Sequence, residues 1–157
     1  MGCSMNTKII FAYGSNMYTK KLRSSTPSAK VIGRARLLGK RMVCNKKSKD
    51  GSGKANLVDS PGNVVWGVLY EIDSAELDKL DKAEGSYQRT TLQVLNEQGN
   101  TITAEVYIST KVTTDPTPYD WYKNLILQGA RKHRLPKDYL EYIKKLPSKA
   151  DLGRRGR

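Results

Sequence analysis

The chain has 157 residues, room for one domain that buries roughly two-thirds of its unfolded surface, and it contains no apolar run near the ~18 residues of a membrane span. Lys and Arg number 28 against 15 acids, a formal charge of +13 that favours anionic ligands. The charge is scattered rather than interleaved with stacking aromatics, which argues against a specific nucleic-acid surface.

Cys3 and Cys44 have neither the number nor the spacing of a disulfide framework or a zinc site, so both read as free thiols of a cytoplasmic protein. The Met1-Gly2-Cys3 start has the residues of an acylated terminus, but Asn6 stands where that signal needs Ser or Thr. Residues 1–7 are read as a leader, 8–147 as the domain and 148–157 as a basic tail.

Lys8 to Tyr13 is a short β-prone run that stops at Gly14-Ser15-Asn16, which predicts a first strand, a tight turn and a short helix. Residues 30–44 alternate as in a long or bent strand, and Asn45 to Lys54 is a polar, Gly-bearing loop whose lysines Lys46, Lys47 and Lys49 read as mobile surface. Ala55 to Val58 predicts a brief strand. Ser60-Pro61-Gly62-Asn63 predicts a turn before the buried strand Val64 to Tyr70. Asp73 and Glu76 have capping-box spacing ahead of a helix that ends near Glu84-Gly85. Tyr87–Leu95 and Thr101–Thr110 flank the hairpin connection Asn96 to Asn100. Thr117 as N-cap with Pro118 behind it predicts one helix, and Pro136 predicts another. Strands and helices in this order predict a single α+β domain, a mixed curled β-sheet or barrel flanked by helices.

Most catalytic constellations are absent. His133 is the only histidine and lies among cations near a helix end; no metal-ligand spacing or phosphate-cradling glycine pattern occurs, so no metal and no cofactor is expected. Two candidates remain. The turn Tyr13-Gly14-Ser15-Asn16 reads either as a strand-to-helix turn capped by Ser15 or Asn16, or as a place where backbone N–H groups meet a carboxylate or oxyanion. Glu84 reads either as an ordinary solvated glutamate, or as a base whose pKa is raised by the negative end of its helix.

Taken together, these segments resemble a family. Phe11-Ala12-Tyr13-Gly14-Ser15-Asn16-Met17, Ser60-Pro61-Gly62 with Val65-Trp66-Gly67-Val68, Leu80-Asp81 with Glu84-Gly85, and Gly129-Ala130 with Leu135-Pro136 and Tyr139 resemble, in order, the blocks of the gamma-glutamylcyclotransferases. Met17 stands where leucine is more usual.

The resemblance implies a mixed β-barrel with flanking helices, a small gamma-glutamyl substrate and no cofactor. It carries the acid/base role onto Glu84 and the substrate-binding loop onto Tyr13, Gly14, Ser15 and Asn16. Tyr87, Tyr107 and Tyr122 fall where that family places pocket tyrosines; each is otherwise a core or interface tyrosine. The implied reaction closes a gamma-glutamyl group to 5-oxoproline. A gamma-glutamylamine, a gamma-glutamyl-protected intermediate, a non-catalytic binding role and a basic nucleic-acid binder stay open as alternatives. The Tyr- and Leu-rich helices leave room for a homodimer.

Overall fold

Strand β1 (Thr7–Ala12) opens a closed five-stranded barrel in the order β1-β3-β2-β4-β5, seen in a computed structural model that describes residues 6–154. The Met1-Gly2-Cys3 start, Arg155 and Arg157 lie outside the described residues. Strands β2 (Lys30–Lys47) and β3 (Gly53–Asp73) form the long antiparallel ribbon of the barrel, while β4 (Gln88–Asn96) and β5 (Thr101–Ile108) form the expected hairpin. The barrel closes where Ile10 of β1 meets Glu105 of β5 in parallel, and where Ala35 and Arg36 of β2 meet Asn96 and Leu95 of β4. Four helices flank it: α1 (Thr19–Ser25), α2 (Leu77–Glu84), α3 (Asp120–Lys132) and α4 (Lys137–Lys144). None among the described residues is long and apolar enough to cross a membrane.

Ile10, Met42, Val65, Val68, Val94 and Val106 of the barrel strands are all essentially excluded from solvent. Helix α3 covers one end with Tyr122, Ile126 and Ala130, and α4 adds Tyr139 and Ile143. Such packing, at ~25 cal/mol per Å² of apolar area removed from water, is the main term that holds the site's elements in place.

Several local expectations are corrected. Ser60 to Asn63 is no turn between two strands: β3 runs through it, and the residues between Asp59 and Val64 have no β2 partner at a register shift opposite Leu38 to Lys40. Pro61, which has no N–H to donate, is tolerated at such a bulge. Lys46 and Lys47 belong to β2 rather than to a loop, because Lys47 N–H donates to Lys111 O at 2.8 Å and Asn45 O accepts from Thr113 N–H at 2.8 Å. The Asp73–Glu76 capping box does not form; Glu76 Oε1 instead accepts from the Ser28 hydroxyl at 2.5 Å and its N–H at 3.1 Å. Helix α3 starts after Tyr119, because Pro118 O accepts from Lys149 N–H and Thr117 turns its hydroxyl to Asp115. Trp121 Nε1 donates to Asp151 at 2.9 Å, so the segment up to Asp151 lies against α3.

Candidate active site

A cavity of about 260 Å³ opens where the end of β1, the turn after it, the end of α2 and the start of β3 converge. The glycine turn becomes a single 3-10 turn, Ser15–Met17, with Gly14 ahead of it. A Cβ on Gly14 would lie 2.8 Å from the Ala55 Cβ, so only glycine lets the turn approach β3 this closely. Neither Ser15 nor Asn16 caps a helix with its side chain, which overturns the capping reading of the turn. The turn spends Met17 N–H on Gly14 O and Tyr18 N–H on Ser15 O. Among the described residues no hydrogen bond uses the N–H of Ser15 or Asn16.

Freed from capping, Asn16 reaches across the cavity: its Nδ2 donates to Glu84 Oε2 at 3.3 Å, and its Oδ1 accepts from Lys21 Nζ at 2.9 Å. Glu84 is the last residue of α2 and Gly85 follows with φ 66°, the left-handed region that lets the chain leave the helix at once. Glu84 lines the cavity and is partly buried. Burial raises its pKa above the ordinary glutamate value; Lys21, Asn16 and Lys46 oppose that rise without cancelling it.

All eight residues singled out from the sequence line this one cavity. The tyrosines form its frame rather than a loose lining. Tyr13 OH donates to Tyr107 O at 2.5 Å, and Tyr107 OH donates to Asp81 Oδ1 at 2.6 Å. Tyr87 OH donates to Ala55 O at 2.5 Å, while Tyr122 OH accepts from Ala55 N–H at 3.0 Å. Burial pushes all four phenols upward, which keeps them neutral hydrogen-bonding groups. Arg89 grips Asp81 at 2.9 Å and Glu105 at 2.8 Å, tying the end of α2 to β4 and β5.

The AIG2-like family profile matches residues 64–143. Gamma-glutamylcyclotransferase of Homo sapiens is 33% identical over 145 residues, 87% of this chain and 77% of that protein, and that of Bos taurus is 36% identical over 149 residues, 89% and 77%. The chain belongs to the gamma-glutamylcyclotransferase family. A solved gamma-glutamyl cyclotransferase superposes with a TM-score of 0.85 at 30% identity, covering 90% of this chain and 89% of that one. The mixed barrel with flanking helices is thus the cyclotransferase fold.

Lys21, Lys46, Lys54 and Trp121 also line the cyclotransferase-fold cavity, and reading the sequence alone missed them. The lysines were hidden among many scattered cations. The signal that could have found Lys54 is its place directly before Ala55 on a β-prone run. His133 sits elsewhere: its Nε2 lies 3.0 Å from Thr19 Oγ1 and its ring packs edge-on to Tyr70. Cys44 is free and buried, its thiol pushed up to about 12 by burial, and so is inert as a nucleophile.

Proposed function

We propose that the protein converts a gamma-glutamyl amide to 5-oxoproline and a free amine, with Glu84 as the general acid/base. The observation that carries this reading is the Asn16–Glu84 contact at 3.3 Å, which joins two segments 68 residues apart across one cavity. Family membership supplies the reaction; the contact supplies the geometry.

The substrate's alpha-amine arrives as an ammonium and cannot attack until it loses a proton. Glu84 takes that proton, and the amine nitrogen bonds to the gamma-carbonyl carbon to close a five-membered ring. A second proton leaves the ring nitrogen as the amide C–N bond breaks. The departing nitrogen gains both protons, so none is consumed overall. A carboxylate whose pKa is lifted toward the working pH suits this double duty, because it both accepts and returns protons readily.

Asn16 holds the carboxylate by its amide N–H, leaving the other oxygen free for the substrate ammonium. The N–H groups of Ser15 and Asn16 are available to the carbonyl oxyanion, a type of contact worth about 3 kcal/mol per donor. The tyrosine frame contributes by rigidity: folding the glutamyl chain for intramolecular attack removes up to roughly 7–11 kcal/mol of barrier in the best-oriented systems.

The test is incubation of purified protein with gamma-glutamyl dipeptides, glutathione and gamma-glutamylamines, following 5-oxoproline by mass spectrometry. Turnover of at least one of these is expected, with Glu84→Gln folded but inactive. A Glu84→Gln protein that turns over normally refutes the assignment. Asn16→Ala is expected to lose activity less severely, about ten- to a hundredfold in kcat/KM, because the base remains but loses its hold.

A further inference from the structure

His133 does not line the cavity, yet it ends a chain of hydrogen bonds that begins at the turn carrying Asn16. Tyr70 of β3 is fully buried, and its hydroxyl is shared between Asn16 O at 3.0 Å and Met17 O at 3.3 Å. The same hydroxyl oxygen lies 2.9 Å from Oγ1 of Thr19, the first residue of α1, and Thr19 Oγ1 lies 3.0 Å from His133 Nε2 at the end of α3. The His133 ring stands edge-on to Tyr70, with ring centres 6.2 Å apart. Turn, barrel and two helices thus meet along one line of polar atoms.

Proton counting gives that line a direction. A carbonyl oxygen can only accept, so the single Tyr70 hydrogen is committed to the turn. The Thr19 hydroxyl must then donate to Tyr70, which commits its own hydrogen, and only a protonated Nε2 completes the next bond. Burial raises the Tyr70 phenol above its ordinary value, so it stays a donor. Burial, helped by Lys132 and opposed by the Met17 backbone, holds the His133 pKa below its ordinary value, so above pH 7 the ring is a neutral Nε2–H tautomer rather than an imidazolium.

The far end of the line is the turn beside Glu84. Holding the Asn16 carbonyl fixes the ψ angle of Asn16, and with it the direction in which the side chain leaves the backbone to meet Glu84 Oε2 at 3.3 Å. We propose that Tyr70, Thr19 and His133 are positioning residues, a directed hydrogen-bond relay that aims the Asn16 amide at the Glu84 carboxylate. The role rests on the cyclotransferase reading of the cavity. None of the three lines that cavity, so each acts through the turn and not on the substrate.

Thr19 supplies the decisive comparison, in 5-oxoproline release from gamma-glutamylalanine. Thr19→Val keeps the branched shape and removes the hydroxyl, whereas Thr19→Ser keeps the hydroxyl and loses a methyl group. Thr19→Val is expected to lose about three- to tenfold in kcat/KM, carried by kcat, the range for one neutral hydrogen bond, while Thr19→Ser stays near the wild-type rate. A Thr19→Val protein at least as active as Thr19→Ser overturns the proposal, since that is the order of a packing residue. Tyr70→Phe is expected to lose about tenfold and to move the acid limb of kcat/KM to higher pH, because the amide that favours the Glu84 carboxylate is no longer aimed at it. In an Asn16→Ala background the same change is expected to cost about twofold or less; a further loss of about tenfold there overturns the proposal. Should Tyr70→Phe not fold, the Thr19 pair still decides. His133 is the only histidine, so nitrogen NMR of the isotope-labelled, untagged protein at pH 8 reads its ring alone: Nε2–H is expected, and Nδ1–H overturns the proton order on which the relay depends. Failure of the cyclotransferase reading looks different. The wild type then releases no 5-oxoproline from gamma-glutamylalanine, glutathione or a gamma-glutamylamine, whatever the ring tautomer, and the positioning role falls with it.

Discussion

Gly129→Ala is expected to damage a helix that it should, on propensity alone, improve. Gly129 is buried in the last turn of α3, where alanine gains up to about 1 kcal/mol of helix propensity over glycine. A Cβ there would meet Met17 C at 2.5 Å, Tyr18 N at 2.6 Å and Met17 O at 2.7 Å. Ordinary carbon contacts lie at ~3.5–4.0 Å, so the turn and the helix must separate by about 1 Å. The clashing atoms are backbone and have no rotamer to escape into, and Tyr70 OH, bonded to Asn16 O at 3.0 Å and Met17 O at 3.3 Å, holds the turn from the other side. Overpacking of this kind costs about 1–3 kcal/mol, which outweighs the propensity gain. At ~2–4 °C per kcal/mol for a chain of this size, a net loss of up to about 2 kcal/mol lowers Tm by up to roughly 8 °C. Displacement of the turn also stretches the 3.3 Å Asn16–Glu84 contact past hydrogen-bonding distance, so kcat/KM for 5-oxoproline release should fall with Tm. Thermal denaturation and steady-state kinetics on one preparation check both. An alanine variant with unchanged or higher Tm and full activity would show that the turn yields freely, and the close-approach argument would be wrong.

Burial raises the Glu84 pKa in the folded protein above its unfolded value, so the folded state holds the proton longer and stability falls as pH rises through that interval. Glu84→Gln should therefore raise Tm at pH 7, with the gain shrinking toward pH 4, measured by denaturation across that range. The acid limb of kcat/KM should for the same reason reach half its maximum above the ordinary glutamate value of ~4.3; a limb at or below it contradicts the buried base. Tyr107→Phe removes one bond to Asp81 but leaves Arg89 in place, so a loss of about 1 kcal/mol in chemical denaturation is expected, with a smaller kinetic effect than Asn16→Ala. Cys44 should resist iodoacetamide at pH 8 in the folded protein and react after unfolding, read by peptide mass spectrometry.

The elements were legible where local chemistry and tertiary packing agree. The apolar run Val64–Tyr70 and the Tyr87–Leu95 and Thr101–Thr110 runs are strands in the fold because the same side chains that favour strands fill the barrel. The turn at Ser60 to Asn63 was misread because proline and glycine mark a bulge as readily as a turn, and only pairing with a long β2 distinguishes them. Capping signals failed for a related reason. Glu76 and Thr117 each had a stronger partner, Ser28 and Asp115, and Ser28 lies far away in the chain. Glu84 was legible from its helix end, but the cavity's lysines were not, since 28 cations give no local sign of which one turns inward.

The site's design follows from an electrostatic conflict held in balance. A helix C-terminus disfavours a carboxylate, and burial in the cavity raises the Glu84 pKa. Lys21 and Lys46 supply opposing charge through space without bonding the carboxylate; Lys21 also bonds Asn16, whose amide is the only one of the three that touches it among the described residues. A direct ion pair would pull the pKa down and occupy the oxygen that the proposed reaction reserves for the substrate's proton. Interposing a neutral amide keeps the charge available and the base reluctant. Asn16→Asp should accordingly do more harm than Asn16→Ala, because two adjacent carboxylates would share one proton and raise the Glu84 pKa further, shifting the acid limb to higher pH as well as lowering its plateau.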